Sequence, residues 1–352
     1  MNRWKQLLIA CAFGATPIVS TDARCLEKPK DSAAVQQESN KVFDEARRKE
    51  AQKLGSGNEA DSASTITRPS ISLELCGIEE IRVKAQDGAE AIAALRKPPG
   101  DGPFPAVVFL HGGLGRSTMT SLKQSAKTGI MHTRFLAAGY VTVTATRRKR
   151  TEQPQSPAAV WDTVSIVEHV KQLPYVDANS LTLYGGSGGG TLAMEVAGAT
   201  DLAAVMAGAP ATILFTGMFS KENLGEPPYS PKDAGPLMKD PQKYYTPQLQ
   251  ELTRKRIGKI RCPIMIAQGD RDSLKKINSE IIVPEMKAQG KSVELVWYPN
   301  QPHGFYWGRT PNQAAALQCF QDADAFFKKH IKAQPVAMDE KLFQRVSVSA
   351  KR

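Results

Sequence analysis

"LTLYGGSGGGTLAMEVAG", residues 181–198, sets five glycines and one serine, Ser187, between two apolar runs. Glycine has the most backbone freedom to lose on folding, so such a cluster weakens a chain unless backbones must pass closely there. A phosphate-cradling loop of the form G-x-x-x-x-G-K-[ST] needs a lysine, and none follows. The dinucleotide fingerprint G-x-G-x-x-G opens at Gly186 and Gly188. Thr191 stands where its last glycine belongs, and the stretch lies mid-chain, not at a first strand-to-helix turn. The remaining pattern is G-x-S-x-G, met by Gly185, Ser187 and Gly189. It puts a serine on a sharp, strained turn between a strand and a helix. Residues 181–184 are strand-like and residues 191–197 read as the start of a helix. A flexible Gly/Ser loop is the plain alternative. The choice depends on whether the chain also supplies a base, an orienting acid and an oxyanion hole.

Three other turns answer that requirement. "VVFLHGGLG", residues 107–115, runs a buried strand into His111-Gly112-Gly113, where glycines let backbone N–H groups face a ligand. "IMIAQGDRDSL", residues 264–274, ends a strand in a turn with two carboxylates, Asp270 and Asp272. "YPNQPHGFYWG", residues 298–308, ends the next strand in a turn carrying His303, one of five histidines. Serine, acid and histidine thus follow in the chain order of an α/β-hydrolase, all at strand ends. Asp270 directly follows Gly269, a position where a carboxylate caps its own turn. Asp272 is the other candidate acid.

The rest of the chain alternates between strand and helix. Residues 78–85 and 89–96 read as strands joined by an Asp87-Gly88 turn. Residues 106–110 and 140–145 are buried-strand runs separated by a helical stretch that Gly139 ends. A helix is expected at 160–173, strands at 203–207, 263–267 and 293–298, and a last helix at 313–330. Alternation of this kind predicts an α/β fold with a mostly parallel central sheet flanked by helices. No internal repeat is visible. Between 211 and 260 the alternation stops, and the segment is rich in proline and aromatics. We expect a small lid-like insertion there, within a hydrolase-type domain at 73–335. Residues 24–72 read as a polar arm, partly helical or disordered, and 336–352 as a tail.

Bulk composition narrows the class. At 352 residues with 41% apolar content the chain suits one large α/β domain and not a membrane bundle. The formal net charge of +11 is spread out, apart from Arg147-Arg148-Lys149-Arg150, and no nucleic-acid motif accompanies it. Arg3 and Lys5 precede an apolar stretch that is too short to span a bilayer, then Thr21-Asp22-Ala23. That pattern predicts a signal peptide at 1–23, cut after Ala23, and export to a periplasmic or secreted location. Export would leave Cys25, Cys76, Cys262 and Cys319 in an oxidising compartment. Their spacing leaves the pairing open, with a Cys262–Cys319 bridge a plausible one. There is no zinc spacing, and we expect no metal or cofactor.

From about 75 to 330 the chain resembles the α/β-hydrolases of the dienelactone hydrolase and prolyl oligopeptidase catalytic-domain group. The resemblance rests on "DGAEAIAALRKPPGDGPFPAVVFLHGG", "WDTVSIVEHVKQLPYVDANSLTLYGGSGGG", "GDRDSL" and "QPHGFYW". It implies Ser187 as nucleophile, His303 as general base and acid, and the N–H groups of Gly113 and Gly188 as the oxyanion hole. The G-x-x-D spacing of that group favours Asp272 as the acid over Asp270. Two features depart from it. The residues before 75 are fewer than the β-propeller of the prolyl peptidases requires, and Arg147–Arg150 stand in place of an aromatic-Arg-Gly signature. We therefore expect a serine hydrolase acting on a small-molecule ester. A small serine peptidase or amidase is the alternative, and a binding protein with a dead site is a weaker one.

Overall fold

Period-two alternation inside the strands builds this molecule from a single sheet with two apolar faces. The computed structural model describes residues 73, 76–113, 115–148, 156–220, 223, 234–308 and 310–338. All belong to the unit Thr65–Arg352. The proposed signal peptide and arm lie outside the described residues. The strands are β1 (Glu79–Lys84), β2 (Glu90–Arg96), β3 (Phe104–Leu110), β4 (Val141–Ala145), β5 (Val176–Gly186), β6 (Ala204–Gly208), β7 (Ile264–Gly269) and β8 (Val293–Tyr298). They form one eight-stranded sheet in the order β1-β2-β4-β3-β5-β6-β7-β8. β2 runs antiparallel to both of its neighbours. From β4 across to β8 every pairing is parallel.

Along β3, Ala106, Val108 and Leu110 enter one core while Val107 and Phe109 enter the other. β7 repeats this with Ile264 and Ile266 against Met265 and Ala267. On the first face pack α3 (Pro157–Lys171) and α4 (Gly188–Ala197); on the second pack α2 (Ile130–Ala137) and α9 (Gln313–His330). α1 (Met119–Thr128) covers β2 through Leu122 and Ala126. Burial on both faces explains why these strands read as continuous apolar runs. The Asp87-Gly88 turn closes β1 onto β2 with Gly88 at φ 82°, and the Asp87 carboxylate accepts the Ala89 N–H at 3.3 Å.

One expectation needs correction. Cys262 sits in the core on one face of the sheet and Cys319 in the core on the other, so no bridge joins them. Burial pushes both thiols up to about 12, which keeps them protonated and unreactive. The segment 211–260 holds helices that the sequence pattern had not marked. It carries α5 (Gly235–Lys239), α6 (Pro241–Tyr244) and α7 (Pro247–Lys259). Pro236, Pro241 and Pro247 stand in the first turns of these helices, where the missing N–H costs nothing. Ile213, Leu214, Met218, Ala234 and Leu237 pack there with Leu274, Ile277 and Ile281. Two of those last three lie on a π-helical turn (Ile277–Ile282) that runs into α8 (Val283–Ala288), neither of which the sequence pattern had marked.

The basic run after β4 is not a free cationic patch over its described part. Arg147 is 1% exposed. Arg148 donates to Asp87 at 2.5 Å and, from Nε and its backbone N–H, to Asp162 at 2.9 and 2.6 Å. Asp162, on α3, is itself buried. One side chain thus ties the end of β4 to a helix and to the β1–β2 hairpin. Removing Asp162 leaves a partly buried guanidinium short of a partner, so Asp162→Ala should lower unfolding free energy by about 2–3 kcal/mol. Urea unfolding of the variant beside the parent checks this, and equal midpoints would contradict it.

Candidate active site

The parallel strands carry their C-terminal ends to one edge of the sheet, and every sequence-marked residue lies just beyond such an end. At the end of β5, Ser187 takes φ 54° and ψ −122°, a conformation that L-residues rarely adopt. Three hydrogen bonds hold it. Its N–H donates to the Gly208 carbonyl at 2.8 Å, and its own carbonyl accepts from Thr191 and Ala211, each at 3.1 Å. The flanking glycines are required by close approach. A Cβ on Gly189 would collide with the carbonyls of Leu110 and His111, and one on Gly185 with the Gly189 carbonyl. The helix α4 starts at Gly188, so its first N–H groups and the positive end of its dipole lie beside the serine.

The His111-Gly112-Gly113 turn packs directly on this elbow. Gly113 has φ 68°, and its carbonyl lies so near Gly188 that a Cβ there would overlap it. A Cβ on Gly112 would touch the Ser187 Cβ at 3.4 Å. The structure therefore brings Ser187, Gly188 and Gly113 together.

His303 follows β8, and its Nδ1 lies 2.7 Å from the Asp272 Oδ2. The Asp272 side chain is fully buried, while that of His303 is 45% exposed. The second carboxylate oxygen, Oδ1, accepts the Leu274 N–H at 2.9 Å. With both oxygens occupied, the carboxylate fixes the proton of His303 on Nδ1 and leaves Nε2 unprotonated. Asp270 is the neighbour not used for this; its carbonyl accepts from Lys275 at 2.6 Å. Among the described residues no hydrogen bond joins Ser187 to His303. His303 Nε2 instead lies 3.3 Å from the Tyr306 hydroxyl.

The sequence reading gave no role at the site to two residues near these groups. Tyr306 is buried, and its ring lies against Gly186 and Gly208, leaving no room for a Cβ on either. Arg147 reaches the Gly112-Gly113 turn: it donates to the His111 carbonyl at 2.9 Å and also to that of Gly113. The His111 ring sits 2.8 Å from the Gly112 carbonyl through Nδ1 and 3.0 Å from the Thr146 hydroxyl through Nε2. Burial, then the Arg147 charge, lowers its pKa to about 4, so the ring is neutral at neutral pH. No group of three or more His, Cys, Asp or Glu among the described residues could hold a metal ion.

The pattern of the prolyl oligopeptidase family (Peptidase S9) matches residues 154–334, just over half of the chain, and the chain belongs to that family. A second family pattern, BD-FAE, matches residues 95–209. No curated protein matches. Among solved structures the chain is similar to Thermogutta terrifontis esterase 2, in a form phosphoramylated by tabun. Identity is 20%, the TM-score is 0.52, and the match covers 72% of this chain and 94% of that one. It is also similar to a thermostable esterase from Pseudomonas putida ECU1011, at 18% identity and TM-score 0.53, covering 75% and 86%. Carboxyl esterase 2 from the mycorrhizal fungus Tuber melanosporum matches at 16% identity and TM-score 0.53, covering 78% and 91%. At these identities the likeness shows the fold, that of the α/β-hydrolases.

His111 yields a pH prediction. Its folded pKa of about 4 lies below the ordinary 6.5, so within that window the unfolded chain binds a proton that the native state refuses. Stability must fall as pH drops through the window, with a slope of up to about 1.4 kcal/mol per pH unit from this group. His111→Gln should show a shallower decline between those limits in thermal melts. Parallel curves for variant and parent would contradict the assignment.

Proposed function

We propose that this member of the prolyl oligopeptidase family is a serine hydrolase of carboxylic esters, working through Ser187, His303 and Asp272. One observation carries this: a non-glycine residue, Ser187, is held at positive φ between β5 and α4, against the Gly112-Gly113 turn. A strained backbone that exposes a hydroxyl beside the N–H groups of a helix start is what nucleophilic attack on a carbonyl requires. Ser187 Oγ attacks the acyl carbon while His303 Nε2 takes its proton. The carbonyl oxygen gathers negative charge and is met by the N–H groups of Gly113 and Gly188. His303 returns the proton to the departing alcohol, and water then releases the acyl group by the same route. Asp272 keeps the imidazole tautomer and balances the imidazolium as it forms. Before turnover Nε2 must exchange the Tyr306 hydroxyl for Ser187 Oγ, a tightening that apo sites commonly undergo on binding substrate.

The likeness to proteins named esterases supports the ester over the amide. Family membership favours the second possibility, a small peptidase or amidase, in which His303 must protonate a poorer leaving group. The 211–260 segment serves as a lid: Ala211 bonds the Ser187 carbonyl, so it begins at the elbow itself. Export with cleavage after Ala23 accompanies this function.

Labelling with a fluorophosphonate, followed by hydrolysis of p-nitrophenyl esters and of aminoacyl anilides, tests the proposal. Ser187→Ala should lose the label and drop kcat on the order of 10⁶-fold. Full labelling of that variant would overturn the nucleophile. Asp272→Asn should drop kcat by about 10⁴-fold, since the wrong tautomer of His303 is then favoured. Asp270→Asn should leave kcat near that of the parent; the reverse outcome would transfer the acid to Asp270. Anilides cleaved faster than esters would replace the esterase with the peptidase.

A further inference from the structure

We propose that Arg147 is a positioning residue of this reaction: its buried guanidinium, together with the His111 ring, sets the Gly112–Gly113 peptide so that the Gly113 N–H meets the developing oxyanion. The proposal deepens the hydrolase function above and rests on it. β4 lies beside β3 in parallel register, with Ala145 opposite Leu110. Residues that follow the two strands therefore face each other across the sheet edge. Arg147 uses this proximity to donate to the carbonyls of His111 and Gly113, the two that flank the Gly112–Gly113 peptide. Its Nη1 also lies 3.3 Å from each nitrogen of the His111 ring. A turn built on two glycines, one at positive φ, has little stiffness of its own. A planar fork that grips both flanking carbonyls supplies that stiffness.

His111 acts on the same peptide from its other end. The Thr146 hydroxyl accepts the Ser117 N–H at 2.9 Å, so its own hydrogen is available to His111 Nε2 at 3.0 Å. The Gly112 carbonyl, 2.8 Å from Nδ1, can only accept, so the ring proton sits on Nδ1 and is donated to it. That carbonyl and the Gly113 N–H belong to one peptide group. Donation into the carbonyl polarises the group and strengthens the N–H as a donor, in the way that hydrogen bonds in chains reinforce one another. Arg147 donates, from a buried place, to the Gly113 carbonyl that lies against Gly188, so the turn is held on the elbow side as well.

The test compares the parent with Arg147→Lys, which keeps the charge and loses the fork, and Arg147→Ala, which loses both. Steady-state kinetics on one p-nitrophenyl ester are read beside thermal melts. Loss of one oxyanion donor costs about 10²–10³ in kcat, so folded Arg147→Ala should fall by roughly 10²-fold. KM should stay within about threefold of the parent, because the interaction strengthens only in the transition state. Arg147→Lys should fall less, and free guanidinium added to Arg147→Ala should restore part of kcat. A purely structural role would move the melting temperature and give no such rescue. Folded variants with parental kcat, a loss confined to KM, or failure of both variants to fold would each overturn the proposal. A parent that neither takes the fluorophosphonate nor hydrolyses ester or anilide would instead overturn the hydrolase function, and this inference with it.

Discussion

The backbone of Ser187 is the constraint around which the surrounding structure is arranged. Holding an L-residue at φ 54° costs on the order of 1–3 kcal/mol, so it persists only where neighbours over-determine it. Here the neighbours come from separate elements: β6 through Gly208, α4 through Thr191, and the start of the following segment through Ala211. Each bond requires backbones to pass within van der Waals contact, and the glycines on either side are what permit the passage. The cost of five adjacent glycines in chain entropy is therefore offset by contacts that no side chain would allow. The same close passage puts the Gly113 carbonyl on Gly188, so the oxyanion turn takes its position from the elbow.

The histidine loop is tied to that constraint by aromatic packing. Gly304 and Gly308 both take left-handed conformations, and between them Phe305 and Tyr306 turn into the core. The Tyr306 ring rests on Gly186 and Gly208, one on each side of the Ser187–Gly208 hydrogen bond. Trp307 rests on Gly186 and stacks with His132 of α2 at 5.9 Å. The Tyr184 hydroxyl donates to the Tyr306 carbonyl, so β5 holds this loop from below as well. His303 is thereby indexed to the serine through rigid rings, while its own imidazole stays partly open to solvent. Asp272 is placed from the other side, by the turn after β7, whose Gly269 leaves room for Gln301 of the histidine loop.

What the sequence made legible was local. Apolar runs without alternation gave the parallel strands, Asp87-Gly88 gave the hairpin, and the glycine pattern gave the elbow, because each is decided within a few residues. The turn after β7 offered two acids, and the G-x-x-D spacing of the resembling group favoured Asp272, which is buried and lies 2.7 Å from His303, while Asp270 offers Lys275 its backbone carbonyl. The rest was hidden where meaning depends on distant partners. Pro236, Pro241 and Pro247 lie in a segment where no helix was expected and begin helices, since a proline in the first turn and a proline in a loop look alike in sequence. Cys262 and Cys319 read as a possible pair, but a sheet separates them. The π-helical turn turns Asn278 inward to Gln268, Thr212 and the Pro210 carbonyl, a network with no short-range signature.

Arg147 and Arg148 show how far two identical neighbours can diverge. Successive side chains beyond a strand point to opposite sides. Arg148 emerges toward α3 and the hairpin, where two carboxylates meet it near solvent. Arg147 goes inward and is buried, where carbonyl oxygens and an uncharged imidazole receive it. Arg148 is a clasp that closes on one buried carboxylate, Asp162, and one half-buried one, Asp87. Taking the Arg147 guanidinium out of water costs free energy that the carbonyls of His111 and Gly113 help to offset. The clasp therefore has a consequence beyond its own energy. By fixing β4 to α3 and to the antiparallel hairpin, Arg148 sets where the chain leaves the sheet, and so where the buried charge beside it must lie. In this way the β1–β2 hairpin, which contributes no residue to the site, still bears on the geometry of the oxyanion turn.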